Sequence, residues 1–282
     1  MKVDCHVHFV LDGTNWKAAI GRHKNGPDRE YLKMVLCRYR DAGYGYLRDG
    51  GDRWGVGFAV KEMAEEYEIR FRTPGAPLCH KGHYGGFIGK KYESMAEFAA
   101  LVRENRKEGG DFLKIMISGL MDFDRCGVLT EEGLSPKEIR EVIHIGKDMG
   151  CAVMVHANGA RTVEAAAAAG ADSVEHGAYL DRDALAAMAE NGTVWVPTLS
   201  AVGNLLGKGR FDEEQVRRIL ETFEKNLTSF ASMGGLIACG SDAGAWAVPH
   251  AADTESAWLR RILGEQADRL LQRGNAEICR RF

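Results

Sequence analysis

Apolar residues along the chain alternate between two patterns, short strand-like runs and longer stretches at helical spacing. Strand-like runs occur at residues 2–10, 44–48, 68–72, 112–118, 151–156, 171–176, 193–197 and 236–240. Helical stretches lie between them at 27–42, 54–67, 94–108, 135–150, 161–169, 181–191, 211–233 and 254–282. In the first of these, Leu32, Val35, Leu36 and Tyr39 share one helical face and Gly43 ends the run. Ser135-Pro136 reads as a helix start, with serine as N-cap and proline at the first helical position. Several strands are continuously apolar (residues 115–117, 153–155, 236–238), the pattern of parallel strands buried on both faces. Eight β–α units over 282 residues predict an α/β fold, a (β/α)8 TIM barrel. No glycine-rich dinucleotide fingerprint follows the first strand, which argues against a Rossmann sheet. No linker or composition break divides the chain, so residues 1–282 are expected to form one barrel domain. The two long loops at 119–134 and 199–210 are expected to form pocket walls or lids, and an unusual loop rich in glycine and histidine lies at 73–89.

Composition narrows the class without changing the fold. The chain is 45% hydrophobic with a net charge of −3, so nothing favours nucleic acid or a membrane surface as partner. There is no apolar run of about 18 residues and no signal-peptide pattern. Seven cysteines are scattered without CxxC spacing, which suits reduced thiols better than a disulfide framework. A soluble cytoplasmic protein acting on a small molecule is expected, with an exposed barrel face able to pair into a homo-oligomer.

In a barrel of this kind, chemistry sits at the C-terminal ends of the strands, and unusual polar residues recur there. His6 and His8 end the first strand within Asp4-Cys5-His6-Val7-His8. Residues i and i+2 of a strand share a face, so both imidazoles point one way, together with Asp4. Two neutral imidazoles converging at a strand end begin a transition-metal site; a hydrogen-bonded pair of core histidines is the structural alternative. Arg48 and Asp49 end the second strand, His156 the fifth and His176 the sixth, and Asp242 follows the eighth.

Lys114 is the odd member of the set. It sits in Phe112-Leu113-Lys114-Ile115-Met116-Ile117, where Leu113, Ile115 and Ile117 face the helices and the lysine faces the barrel interior. A lone buried ammonium is costly. The residue therefore needs a carboxylate partner such as Asp242, a depressed pKa, or chemical modification. Carbamylation by CO2 would make it an anionic two-oxygen ligand able to bridge two metal ions. A Schiff-base lysine is a further option, but it leaves the histidines without a role.

These motifs resemble the amidohydrolase superfamily, in its imidazolonepropionase- and prolidase-like branch. The matching pieces are Asp4-Cys5-His6-Val7-His8, Leu47-Arg48-Asp49-Gly50-Gly51, Phe112 through Gly119, Val155-His156-Ala157-Asn158-Gly159, Val174-Glu175-His176-Gly177, Val196-Pro197-Thr198-Leu199 and Gly240-Ser241-Asp242-Ala243-Gly244, in the family's order. The resemblance implies one or two divalent ions, usually zinc, with Mn, Fe, Co or Ni able to replace it. It implies that His6 and His8 bind the first metal and that Lys114, carboxylated by CO2, bridges both. His156 and His176 would bind the second metal. Asp242 would contact the first metal and the bridging hydroxide, taking the attacking proton and returning it to the leaving nitrogen. Many members of the branch carry a β-sandwich built from both chain ends. Here the first motif begins at residue four and no strand pattern follows Asp242, so a barrel-only version, or one whose ends were lost, is expected.

The reaction so implied is hydrolysis of an amide bond in a dipeptide, an N-acyl amino acid or a cyclic amide. Ester, lactone or phosphotriester hydrolysis at the same centre is the alternative, and a catalytically silent metal- or ligand-binding barrel is the alternative of another class. Candidate substrate contacts are His83 and Tyr84 in the loop after the third strand, with a solvated loop and simple packing as their alternatives, and Arg48, whose guanidinium suits a substrate carboxylate but is more readily taken by an ion pair with a nearby acid. His80 lies in the same loop, and His250 is placed to help close the pocket.

Overall fold

The computed structural model describes all 282 residues. Its ten strands are β1 (Lys2–Val7), β2 (Tyr44–Asp49), β3 (Arg70–Arg72), β4 (Leu78–His80), β5 (Lys90–Tyr92), β6 (Leu113–Met116), β7 (Val153–Ala157), β8 (Ser173–His176), β9 (Val194–Val196) and β10 (Leu236–Ile237). Every strand pairing is parallel. The strands run in the orders β1-β2-β3 and β10-β9-β8-β7-β6-β4-β5. Backbone hydrogen bonds close the two seams. Cys5 N–H donates to Cys239 O and Asp242 N–H to His6 O, each at 2.8 Å, beside β10. Asp111 N–H donates to Thr73 O at 2.8 Å between β3 and β6. Strands β1, β2, β3, β6, β7, β8, β9 and β10 thus form the expected eight-stranded TIM barrel. After the Pro74-Gly75-Ala76-Pro77 bend, β4 continues the course of β3 along the upper part of β6.

Strand alternation sorts the core into two zones. Leu113, Ile115, Val153, Val155, Val174 and Trp195 face outward and pack in the main apolar core with the helices. Tyr46, Phe112, Met154, Val194 and Val196 cluster with Phe282 as the apolar barrel floor. Phe282 meets the Phe112 ring edge-on, with ring centroids 5.1 Å apart. One step up the strands the interior turns polar, with Arg48, Lys114 and Glu175 all buried.

The helix Pro136–Asp148 shows how the outer layer is built. Ser135 and Glu138 form a reciprocal capping box at its start, and Ile139, Val142, Ile143 and Gly146 make its buried face. A Cβ on Gly146 would lie 2.5 Å from Leu113 Cδ2, so only glycine lets this helix sit so close to β6.

Four details differ from the periodicity. A helix at Trp16–Arg22 follows β1, nucleated by Asn15, whose side chain accepts from Lys17 N and Ala18 N. Its seven residues are too few to show a helical period. The 73–89 loop contains β4, and the 199–210 loop contains a one-turn helix at Ser200–Gly203. The last stretch is two helices, Thr254–Leu263 and Ala267–Arg281, broken where Gly264 takes φ 58°. No helix is long and apolar enough to cross a membrane.

Candidate active site

His6, His8 and Asp242 meet at the C-terminal mouth of the barrel. His6 Nε2 lies 3.3 Å from His8 Nε2, and Asp242 Oδ1 lies 3.6 Å from the first and 3.4 Å from the second. All three residues are buried, and these are the only three His, Cys, Asp or Glu side chains whose ligand atoms cluster this tightly. Four ligands at about 2.0–2.1 Å around a tetrahedral zinc stand roughly 3.3–3.4 Å apart. The triangle therefore fits one divalent ion. Gly50 makes room for it, since a Cβ there would fall 2.2 Å from His8 Cε1.

Partners behind the imidazoles fix which nitrogen is free. His6 Nδ1 is 2.7 Å from Glu175 Oε2, so Nδ1 carries the proton and Nε2 keeps its lone pair for the triangle. His156 Nε2 lies 3.2 Å from the carbonyl of Gly119 and donates to it, leaving Nδ1 free. His176 Nδ1 lies 2.7 Å from Thr198 Oγ1. The His156 and His176 rings meet at 4.5 Å between centroids, and His176 lies 5.2 Å from His6. The four expected histidines thus form one cluster.

Burial sets the protonation of the cluster. It holds all four imidazoles below their usual range, with His8 and His156 each pushed down to about 3. They are neutral and free to ligate near neutral pH. Burial also raises Asp242 to about 7, against the opposing pull of Lys114.

Lys114 is buried, and its Nζ has no hydrogen-bond partner. The ion pair with Asp242 weighed from sequence does not form. Burial lowers the ammonium to about 8, which enlarges the share of neutral, nucleophilic amine over that of an exposed lysine. An orphaned buried amine facing four histidines and an aspartate has the chemistry a carbamate ligand requires.

Backbone strain collects at the same place. His176, Thr198 and Asp242 have φ of 65°, 51° and 61°, a region costly for residues with a Cβ. At His176 the consequence is direct. Simple alternation would put Glu175 and His176 on opposite faces of β8, but the left-handed turn brings both into the barrel. Asp4 steadies the Asp242 turn by accepting from Ser241 N–H at 2.9 Å and Ser241 Oγ–H at 2.6 Å.

Two expected contacts need correction. Arg48 does not reach the mouth. It is fully buried, with Nη2 donating to Glu175 Oε1 and Oε2 at 2.9 and 3.0 Å, Nη1 to Ser173 Oγ at 2.9 Å and Nε to Cys5 O at 2.7 Å. Its donors are used inside the barrel, holding the carboxylate that orients His6, so it is not a substrate-carboxylate anchor. His250 does not line the pocket either. It is buried between Leu11 O (2.9 Å) and Tyr39 Oη (3.2 Å) and ties the loop after β10 to the loop after β1.

The 80s loop divides its residues. Tyr84 is brought to the cluster, its ring 4.9 Å from that of His156. His83 turns outward, half-exposed, with Nδ1 3.5 Å from Glu131 Oε1, and His80 packs on Tyr92 at 5.2 Å. Glu175, Thr198 and Glu131 were given no role from sequence. Glu175 had a signal: with Ser173 it is polar at the i and i+2 positions of a strand whose other face is apolar. Thr198 was visible only as part of the motif Val196-Pro197-Thr198-Leu199, and Glu131 had no signal, because its partners Tyr84 and His83 come from a distant loop.

Comparison with known proteins follows this geometry. A Xaa-Pro dipeptidase structure with methionine bound in its active site superposes with a TM-score of 0.80 at 25% identity, covering 99% of this chain and 74% of that one. The solved structures that this chain resembles are amidohydrolase-family proteins. The ochratoxinase of Aspergillus niger is 25% identical over 280 residues, covering 85% of this chain. The crystal structure of that ochratoxinase matches with a TM-score of 0.76 at 20% identity, over 98% of this chain and 68% of that one. The chain spans 56% of the length of the curated relatives it matches. No family model matches it.

Proposed function

We propose that the protein is a metal-dependent hydrolase that cleaves an amide bond in a small molecule such as a dipeptide, an N-acyl amino acid or a cyclic amide. The observation that carries this reading is the convergence of His6 Nε2, His8 Nε2 and Asp242 Oδ1 within 3.6 Å, with Lys114 unpaired nearby. The amidohydrolase relatives support it. His6, His8 and Asp242 would hold one divalent ion, with His156, His176 and carboxylated Lys114 available for a second. Carboxylation adds the neutral Lys114 amine to CO2 with loss of one proton, giving a carbamate. When bound, the ions would acidify water and polarise the scissile carbonyl.

The chain's own groups do the rest. Glu175, held by Arg48, keeps the Nδ1 proton on His6 and the ring in place. Asp242 is the only carboxylate of the ligand triangle, so it accepts the attacking water's proton. The same oxygen returns that proton to the departing nitrogen, which must leave as a neutral amine.

The test is a panel of N-acyl amino acids, dipeptides and cyclic amides, set beside matching esters, lactones and phosphotriesters. Protein prepared with zinc or manganese and bicarbonate is expected to release free amine from members of the amide set. A chelator should abolish the activity and added metal restore it. Turnover confined to esters or phosphotriesters, or amide cleavage indifferent to chelation, contradicts the proposal.

A further inference from the structure

Four aromatic rings run without a break from solvent to the histidine cluster. Trp16 is 49% exposed and is the only aromatic among the exposed large apolar side chains. Its ring meets Phe87 at 5.7 Å with an interplanar angle of 73°. Phe87 meets Tyr84 at 5.7 Å and 48°, and Tyr84 meets His156 at 4.9 Å and 36°. The rings come from three separate segments, the helix after β1, the loop after β4 and, for His156, the end of β7.

The first two segments are held in place before any ligand arrives. Asp12 Oδ1 accepts from the backbone N–H of Thr14 and Asn15, and Asn15 caps the helix that begins with Trp16. On the other side, Tyr84 N–H donates to Glu131 Oε1 at 2.7 Å and Arg53 N–H to Ile88 O at 3.0 Å. An indole left half in water at the end of such a wall forfeits burial that a flat apolar ligand would restore. The Lys17 ammonium lies 5.4 Å from the Trp16 ring centroid and leaves the inner run untouched.

We propose that Trp16, Phe87 and Tyr84 form the specificity subsite, binding an aromatic group next to the scissile amide. The substrate class is then amides of aromatic acids or aromatic amino acids. This rests on the amide-hydrolase reading above, and the test separates the two.

The probe is the ketomethylene isostere of phenylacetyl-phenylalanine, in which CH2 replaces the scissile N–H so that no hydrolysis can occur. The isostere of acetyl-alanine is its comparison. Binding is measured by calorimetry on metal-loaded wild type, Trp16→Ala, Phe87→Leu and Met34→Ala, the last a control for exposed apolar surface elsewhere. Wild type is expected to prefer the aromatic isostere. Trp16→Ala and Phe87→Leu should each weaken it about ten-fold, the effect of losing one ring contact, and Met34→Ala should not. With the parent amides, the same loss should appear in KM rather than kcat. If no amide is turned over but this binding pattern holds, the subsite stands and the amide-hydrolase reading falls. If amides are hydrolysed but the isosteres bind equally, or neither ring variant changes the preference, the subsite is overturned and the hydrolase reading stands.

Discussion

Asp242→Asn is expected to lower kcat by about 10²–10⁴-fold, the range over which a positioned acid–base group contributes. The asparagine keeps the size of the side chain and the backbone bond from residue 242 N–H to His6 O. It removes the one carboxylate oxygen of the ligand triangle that can accept a proton and return it. Asp242 is also one of the three ligands, so the variant is assayed at saturating metal; with the site loaded the loss falls on the chemical step, KM should change little, and binding of a non-hydrolysable isostere should survive. Steady-state kinetics on an amide substrate, with calorimetry on the isostere, checks both halves. A variant that keeps wild-type kcat would show that proton transfer runs through another group.

Arg48→Met is expected to cost about 3–5 kcal/mol of folding stability, as when one member of a buried ion pair is removed. Arg48 and Glu175 have no exposed side-chain surface, and the guanidinium also sits 4.4 Å from the Phe282 ring on the barrel floor. The methionine fills similar space but leaves the Glu175 carboxylate held only by Ser173 and His6. Pairing the change with Glu175→Gln should recover part of the loss, because the buried charge then disappears with its partner. Metal affinity should also fall by about 10–100-fold in Arg48→Met, the usual effect of disturbing a group that orients a ligating histidine. Urea unfolding measures the first effect and metal titration the second. A loss below about 1 kcal/mol would mean that the pair behaves like a surface salt bridge despite its burial.

The barrel was legible because parallel strands buried on both faces write themselves as apolar runs at regular spacing. The inward positions of His6, His8 and Lys114 followed from two-residue alternation alone. His176 and Asp242 were legible only as members of motifs, since their left-handed backbone breaks the alternation that would have oriented them. Arg48 shows the limit of residue type as a guide. A guanidinium at a strand end suits a substrate carboxylate or an internal acid; the ion pair favoured from sequence forms, but no local pattern pairs β2 with β8 to name Glu175 as its partner. Trp16 escaped notice because a seven-residue helix has no visible period and because its ring gains meaning only from Phe87 and Tyr84, about seventy residues away.

The central claim is that Lys114 joins the histidines as a metal ligand, and metal content per chain tests it most directly. Wild type and Lys114→Ala would be purified without chelator in the presence of bicarbonate, and bound metal measured by mass spectrometry. Loss of a ligand should exceed the roughly 10–100-fold weakening caused by loss of an orienting partner. About two ions per chain in wild type, falling to one or none in the variant, is the predicted result. Equal metal in both proteins, or none in either after reconstitution, would contradict it.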